Sequence, residues 1–253
     1  MKAGIVQFDQ EFENKENNII TLRKLLDKKL TDEDILIFPE MTLTGYTMNT
    51  REFGEELDGI GMTFFISEAQ KRKRHFFVGM IEKDENNYFN SLYHIDNKGI
   101  ITASYRKIHP FSFAGEEKYY QSSLEPVVTK VEDFKIGLSI CYDLRFPELF
   151  RHYGKEKCDI IINSANWPVQ RIQHFKLLSR ARSVENLCYF LGANRIGKDP
   201  FNEFSGESVA FDPKGDELLK PDMTENIFKV IISKETVIET RNKYPFLNDI
   251  RLI

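Results

Sequence analysis

Short apolar, β-branched or aromatic runs alternate with stretches of helical period along most of this chain, and that alternation is what most limits its fold. Strands bury side chains with a period of two and helices with a period near 3.6, so a chain that keeps switching between them layers helices on sheets. Residues 1–8 predict a strand. Over 17–30, Ile19, Leu22, Leu25, Leu26 and Leu30 fall on one helical face, with charge opposite. Residues 34–38 predict the second strand, and 62–74 a helix with Met62, Phe65, Ile66 and Ala69 on one side. The basic cluster Lys71-Arg72-Lys73-Arg74 suits the carbonyl end of that helix and reads as a solvated terminus. The class is α/β.

From His75 the pattern changes to strands at 75–81, 90–95 and 100–106. The turn signals Asp84-Glu85-Asn86-Asn87 and Asp96-Asn97-Lys98-Gly99 separate them, which predicts a meander. Residues 127–131 and 135–141 predict another strand pair, and 147–153 a short helix opened by Pro147. Residues 159–164 predict a buried strand of almost pure isoleucine. A helix at 173–187 then leads into a strand at 188–194. The turn Asp212-Pro213-Lys214-Gly215-Asp216 joins 205–211 to 217–219 as a hairpin, and a strand at 226–232 precedes a last helix at 233–242. No linker, internal repeat or low-complexity segment interrupts the sequence, so a single domain over 1–253 is expected.

Composition removes several functions. A hydrophobic share of 41% against 29% charged residues, with 21 Phe and 10 Tyr, supports a packed core without a partner. Thirty-five Lys plus Arg against 39 Asp plus Glu leave a formal charge of -4, which attracts neither a phosphate backbone nor an anionic bilayer. No apolar run approaches the ~18 residues of a membrane span. The first nine residues are too short in apolar sequence for a secretory signal. Three cysteines, an odd number, argue against a disulfide framework; a reducing cytoplasm is expected, with free thiols available for chemistry.

Three apolar strands run directly into a reactive or charged residue: Ile35-Leu36-Ile37-Phe38-Pro39-Glu40, Ala103-Ser104-Tyr105-Arg106-Lys107, and Ile136-Gly137-Leu138-Ser139-Ile140-Cys141. The carboxyl ends of strands are where α/β sheets gather their sites. Singly, each residue has a plainer reading: an exposed turn carboxylate, a solvated lysine, a small buried thiol. Together, Phe38-Pro39-Glu40, Tyr105-Arg106-Lys107-Ile108-His109 and Ser139-Ile140-Cys141-Tyr142-Asp143-Leu144-Arg145-Phe146-Pro147-Glu148 resemble, in order and spacing, the three signature segments of the nitrilase superfamily of carbon–nitrogen hydrolases.

The resemblance covers essentially the whole chain. It implies a four-layer α-β-β-α sandwich with two central mixed sheets, and a homodimer formed through helices, for which 147–153 and 173–187 are the candidates. It implies a catalytic triad of Glu40, Lys107 and Cys141. A second glutamate falls in Ala114-Gly115-Glu116-Glu117-Lys118-Tyr119-Tyr120, where Glu116 matches by its distance from the tyrosine pair and Glu117 is the alternative. The chemistry it implies is covalent. Amides are poor electrophiles, and attack by a thiolate divides the hydrolysis into two easier steps. An ordinary thiol, of pKa about 8.5, needs a base at neutral pH; Glu40 fills that role and returns the proton to departing ammonia. Lys107 and the Tyr142 backbone N–H form the oxyanion hole.

Four further residues are candidates for holding substrate: Arg145, four positions after Cys141; Tyr46; and Asn166 and Trp167 in Ser164-Ala165-Asn166-Trp167-Pro168. Arg145 either grips a substrate carboxylate through paired hydrogen bonds or makes a structural ion pair with Asp143 or Glu148. With Arg182-Ser183-Val184-Glu185-Asn186 and Tyr244-Pro245-Phe246-Leu247-Asn248-Asp249, these segments are similar to the bacterial omega-amidase branch. That likeness implies a small carboxylate-bearing amide, 2-oxoglutaramate or 2-oxosuccinamate, as substrate. Asn166-Trp167-Pro168 stands where the eukaryotic omega-amidases have a longer Thr-containing loop. Deaminated-glutathione amidases share Cys-Tyr-Asp-x-Arg-Phe-Pro, and a non-catalytic binding protein on the same fold would have no need of the triad. His75, His94, His109, His152 and His174 show no zinc spacing, so neither metal nor cofactor is expected. His109 reads as a structural hydrogen bonder or a pocket residue, Cys158 and Cys188 as packing residues. The absence of a G-x-S-x-G elbow and of a phosphate-cradling loop argues against serine-hydrolase and nucleotide chemistry.

Overall fold

The computed structural model describes residues 1–252. In chain order it contains β1 (Lys2–Gln7), α1 (Lys15–Lys29), β2 (Ile35–Ile37), α2 (Thr50–Phe53), α3 (Ile60–Arg72), β3 (His75–Asp84), β4 (Asn87–Ile95), β5 (Ile101–Arg106), β6 (Val128–Val131) and β7 (Phe134–Ile140). There follow α4 (Pro147–Lys155), β8 (Ile160–Ala165), α5 (Ile172–Asn186), β9 (Tyr189–Asn194), β10 (Ile196–Lys198), β11 (Glu203–Ser205), β12 (Val209–Phe211), β13 (Asn226–Ile231) and α6 (Lys234–Lys243).

Two large mixed sheets form the middle, one in the order β13-β1-β2-β3-β4-β5, the other β12-β9-β8-β7-β6. Alternation along the strands builds the layers. Ala3, Ile5, Ile35, Ile37, Phe77 and Leu92 face the second sheet, while their neighbours Val6, Leu36, Phe76 and Val78 face Leu22, Leu26, Met62 and Phe65 of α1 and α3. On the far side of the second sheet, Leu149, Phe150 and Tyr153 of α4 and Phe175 of α5 pack against the isoleucines of β8. The result is the expected α-β-β-α sandwich. Strands buried on both faces read as continuous apolar runs, which is why Ile160-Ile161-Ile162 has no polar side.

Strand direction then gathers the site. β1, β2 and β3 are parallel; β4 turns back and β5 turns again, so β5 runs with β2. β7, β8 and β9 are parallel in the other sheet. The carboxyl ends of β2, β5, β7 and β8 meet at one edge of the sandwich, and Ser164 Oγ, at the end of β8, donates to the Phe38 carbonyl beyond β2 at 2.6 Å.

Two expectations need correction. The stretch 205–211 is divided between β11 and β12, because Gly206 (φ 71°) and Glu207 (φ 52°) take left-handed backbone that ends any strand. β12 joins the second sheet, β11 pairs with β10, and the 217–219 partner shrinks to a bridge between Glu217 and Phe211. The basic end of α3 is only partly solvated: Arg72 pairs with Glu68 at 2.8 Å and with Asp27 of α1 at 2.5 Å.

Candidate active site

Glu40 follows β2 in a segment the sheet holds closely. Phe38 N–H donates to the Phe77 carbonyl at 2.9 Å and Thr42 N–H to the Gly79 carbonyl at 2.8 Å. Gly79 is required there, since a Cβ would lie 2.8 Å from Met41 N and 2.9 Å from Glu40 Cα. Met41 turns the chain with φ 44°. Gln10 Nε2 braces this turn with contacts to the carbonyls of Glu40, Met41 and Thr42 at 3.0, 3.3 and 3.2 Å, and Asn166 Nδ2 donates to the Glu40 carbonyl at 2.9 Å. The side chain of Glu40 is thereby aimed inward and fully buried.

Lys107 follows β5, its N–H donating to the Asn90 carbonyl at 2.8 Å. Its ammonium reaches Glu40 Oε1 at 2.9 Å and Glu116 Oε2 at 2.9 Å. Glu116 is buried and Glu117 exposed, so Glu116 is the second glutamate of this cluster. Phe111 N–H and the Tyr46 hydroxyl also donate to Glu116 Oε2, at 2.6 and 3.1 Å, and Asn90 Nδ2 bridges both carboxylates.

Cys141 follows β7 with φ 42°, a strained backbone for a non-glycine residue that must be held by its surroundings. Asp143 does the holding. Its buried carboxylate accepts from Ile140 N–H at 2.9 Å, from the Tyr105 hydroxyl at 2.7 Å and from His109 N–H at 3.0 Å. His109 Nδ1 lies 2.9 Å from the same carboxylate and the ring stacks on Phe146 at 3.8 Å, so His109 is structural. Cys141 Sγ lies 3.9 Å from the Asn166 carbonyl, while Asn166 N–H donates to Glu40 Oε2 at 3.1 Å. One loop thus touches both the thiol and the acid.

Burial and a shared negative charge set the protonation. Two carboxylates around one ammonium carry a net charge of about -1, and ionising the thiol would double it. Burial and the neighbouring Glu40 accordingly push the Cys141 thiol well above its usual range. Burial also raises Glu40, against the pull of Lys107 and with a push from Glu116. Burial works to lower Lys107, yet Glu116, Glu40 and Cys141 outweigh it and hold the ammonium charged. The resting arrangement is a neutral thiol beside a carboxylate of enhanced basicity and a permanent cation.

These groups floor a cavity of about 220 Å³, smaller than the ~300–1,000 Å³ that holds drug-sized ligands. Tyr46, Tyr142, Arg145, Asn166, Trp167 and Arg171 line it. The Arg145 guanidinium sits 5.1 Å from the Trp167 ring and 5.9 Å from the Tyr142 ring, and its Nη2 lies 3.4 Å from His174 Nδ1. Among the described residues no carboxylate pairs with it: Asp143 is engaged below the thiol, and Glu148 makes no ion pair. Of its two readings, the structural ion pair is absent.

Comparison with known proteins agrees with this geometry. The carbon-nitrogen hydrolase family model matches residues 2–242. The chain belongs to the carbon-nitrogen hydrolase family. It is 32% identical to a 2-oxoglutaramate amidase of Bacillus subtilis over 97% of this chain and 96% of that one. It is 34% identical to a 2-oxoglutaramate amidase of Paenarthrobacter nicotinovorans over 86% and 78%. Among solved structures, a CN-hydrolase superfamily protein of Xanthomonas campestris with an arsenic adduct in its active site superposes with a TM-score of 0.95 at 25% identity, covering 100% of this chain and 98% of the other. The protein is an enzyme acting on carbon–nitrogen bonds other than peptide bonds.

Three residues of this hydrolase site escape a reading of the sequence: Asn90, Gln10 and Arg171. Asn90 sits in a strand whose alternation marks it only as polar, and Gln10 lies about thirty positions before the carbonyls it braces. Arg171 lies 5.5 Å from the Phe111 ring in the cavity lining, and its signal was available in Trp167-Pro168 just before it. Away from the site, His75 Nδ1 and His94 Nε2 meet at 3.0 Å, but no group of three or more His, Cys, Asp or Glu side chains fit to hold a metal occurs among the described residues. No described helix is long and apolar enough to cross a membrane.

Proposed function

We propose that this hydrolase releases ammonia from the side-chain amide of a small dicarboxylic acid monoamide, 2-oxoglutaramate or 2-oxosuccinamate, through a thioester on Cys141. The observation that carries this reading is Arg145, a guanidinium without a carboxylate partner in the lining of a cavity too small for a large amide. The 2-oxoglutaramate amidase names of the relatives support it. Arg171 adds a second cation to the cavity lining.

The Cys141 thiol gives its proton to Glu40 as sulfur bonds to the amide carbon. The carbonyl electrons move to oxygen, where Lys107 and the Tyr142 N–H receive the charge; that N–H lies in the first turn of a 3₁₀ helix, Cys141–Arg145, and has no intrahelical partner. Collapse breaks the carbon–nitrogen bond, and Glu40 returns the proton to the departing nitrogen. Water then gives a proton to Glu40 and attacks the thioester, leaving the dicarboxylate and a thiolate that recovers its proton. Glu116 fixes Lys107 and Tyr46 throughout.

Two coarser features belong to the same reading. The working unit in this reading is a homodimer, supported by a mostly apolar groove of about 1010 Å³ lined by Pro147 and Arg151 of α4, Val184 of α5, and Tyr244, Phe246 and Leu252, which is the candidate interface. Three free thiols suit a reducing cytoplasm.

The test is ammonia release from a panel of 2-oxoglutaramate, 2-oxosuccinamate, a short neutral amide, a nitrile and an N-carbamoyl acid, with wild type and Arg145→Ala. Loss of one partner of a charge-assisted pair costs roughly 2–5 kcal/mol, so kcat/KM for the carboxylate-bearing amides should fall about 30- to several-thousand-fold, with little change for the neutral amide. Equal losses on charged and neutral amides would remove Arg145 from substrate binding.

A further inference from the structure

The carboxylates of Glu40 and Glu116 share Lys107, but they also share a donor that carries no charge. Asn90 Nδ2 lies 2.7 Å from Glu40 Oε1 and 2.9 Å from Glu116 Oε1, the same two oxygens that Lys107 Nζ reaches at 2.9 and 3.1 Å. The amide has only one workable orientation, since turning it over would set its oxygen against two carboxylates. In this orientation Asn90 Oδ1 is buried with no partner among the described residues, a loss that packing alone does not explain. Glu40 Oε1 thus takes two donors, Asn90 and Lys107, while Oε2 takes the Asn166 N–H at 3.1 Å.

We infer that Asn90 is a positioning residue: it pins one oxygen of each glutamate, keeps the two acids spaced about the lysine, and leaves Oε2 of Glu40 as the atom that takes the thiol proton. The inference rests on the reading of Glu40 as base. A neutral bridge suits the cycle. Lys107 must turn part of its hydrogen bonding to the oxyanion as that forms, whereas the amide stays where it is and holds both carboxylates while the ammonium is drawn away. The titratable groups facing this bridge are Glu40 and Tyr46 from the segment after β2, Lys107 after β5, Glu116 and Tyr120 from the turn between β5 and β6, and Cys141 after β7. The backbone carbonyl of Asn90, which anchors Lys107 N–H at 2.8 Å, survives any side-chain substitution, so a variant isolates the amide.

The variants are Asn90→Leu, of similar size without donors, and Asn90→Ser, with one short donor. For each, kcat and KM for 2-oxoglutaramate and the rate of iodoacetamide reaction at Cys141 are followed across pH, with folding checked by thermal melting. Asn90→Leu should lower kcat about 100-fold with little change in KM, as expected for a small misplacement of the acid. The acid limb of kcat/KM should move to higher pH, because a donor to the ionised form of Glu40 is gone; Asn90→Ser should fall between Leu and wild type. A folded Asn90→Leu with wild-type kcat and an unmoved limb would overturn the inference, and if Leu does not fold, an unmoved limb in Asn90→Ser does the same. Glu40→Gln, measured alongside, separates the two levels. If it keeps turnover, the assignment of the base has failed and this inference with it; if it is inactive while the Asn90 variants match wild type, only the role of Asn90 is lost.

Discussion

Cys141 is one of three free thiols, and its surroundings alone make it useful. Cys158 and Cys188 are enclosed in the core, away from the cavity; burial pushes Cys158 up to about 12 and Cys188 higher still. Cys141 opens on the cavity and has Glu40 next to it. Iodoacetamide is therefore expected to inactivate the enzyme with the label on Cys141 by peptide mass spectrometry, more slowly when substrate is present. Equal labelling of all three thiols with activity retained would contradict that role. At this scale the sequence is informative where a motif concentrates the chemistry: Glu40, Lys107, Glu116 and Cys141 stand in four short segments that converge on one place. It was silent on Asn90 and Gln10, because a polar residue inside a strand or loop carries no mark of the distant group it will meet. For Arg145 the sequence leaves a substrate carboxylate and a structural ion pair with Asp143 or Glu148 equally open, because nothing in it marks Asp143 as engaged by Ile140, Tyr105 and His109.

Elements were legible wherever one face is buried, since burial on one face imposes a period. α1, α3, α5 and the strands of both sheets fall where the periodicity places them. The stretch 205–211 did not, because its break depends on backbone dihedrals at Gly206 and Glu207 that leave the apolar pattern untouched. The contact between β4 and β6 was equally invisible. His94 of β4 is buried, stacked on Phe77 at 4.4 Å, with its Nδ1 2.8 Å from Thr129 Oγ1 of the other sheet and 2.7 Å from Thr102 Oγ1. Burial pushes it down to about 3, with His75 adding to the effect. Between that value and the ordinary histidine value of 6.5 the unfolded chain binds a proton that the folded chain does not, so stability falls as pH drops through this window. The slope due to this one group is about 1.4 kcal/mol per pH unit in mid-window. Melting His94→Gln and wild type from pH 7 to pH 3 should show a shallower decline for the variant, whatever its loss at neutral pH. Parallel curves would mean that His94 accepts its proton in the folded state as readily as in the unfolded.

For the whole molecule, two sheets carry different parts of the proposed reaction: the first positions Glu40 and Lys107, the second Cys141 and Asn166, and only their packing face to face brings the four together. The apolar groove of α4 and α5 lies in an outer layer, and none of the residues that line it lines the cavity. Light scattering at micromolar concentration should give twice the chain mass, and Val184→Asp in the groove should shift it toward one; a strict monomer for the wild type would refute the dimer. The proposed function requires above all that Cys141 attack a small carboxylate-bearing amide. The most direct measurement is ammonia and 2-oxoglutarate release from 2-oxoglutaramate by wild type and Cys141→Ala under the same conditions, each shown to be folded. The account predicts equimolar release of both products by wild type and none by Cys141→Ala at an unchanged melting temperature. Turnover by the folded alanine variant, or a folded wild type that leaves 2-oxoglutaramate intact while hydrolysing a neutral amide or a nitrile, would contradict it.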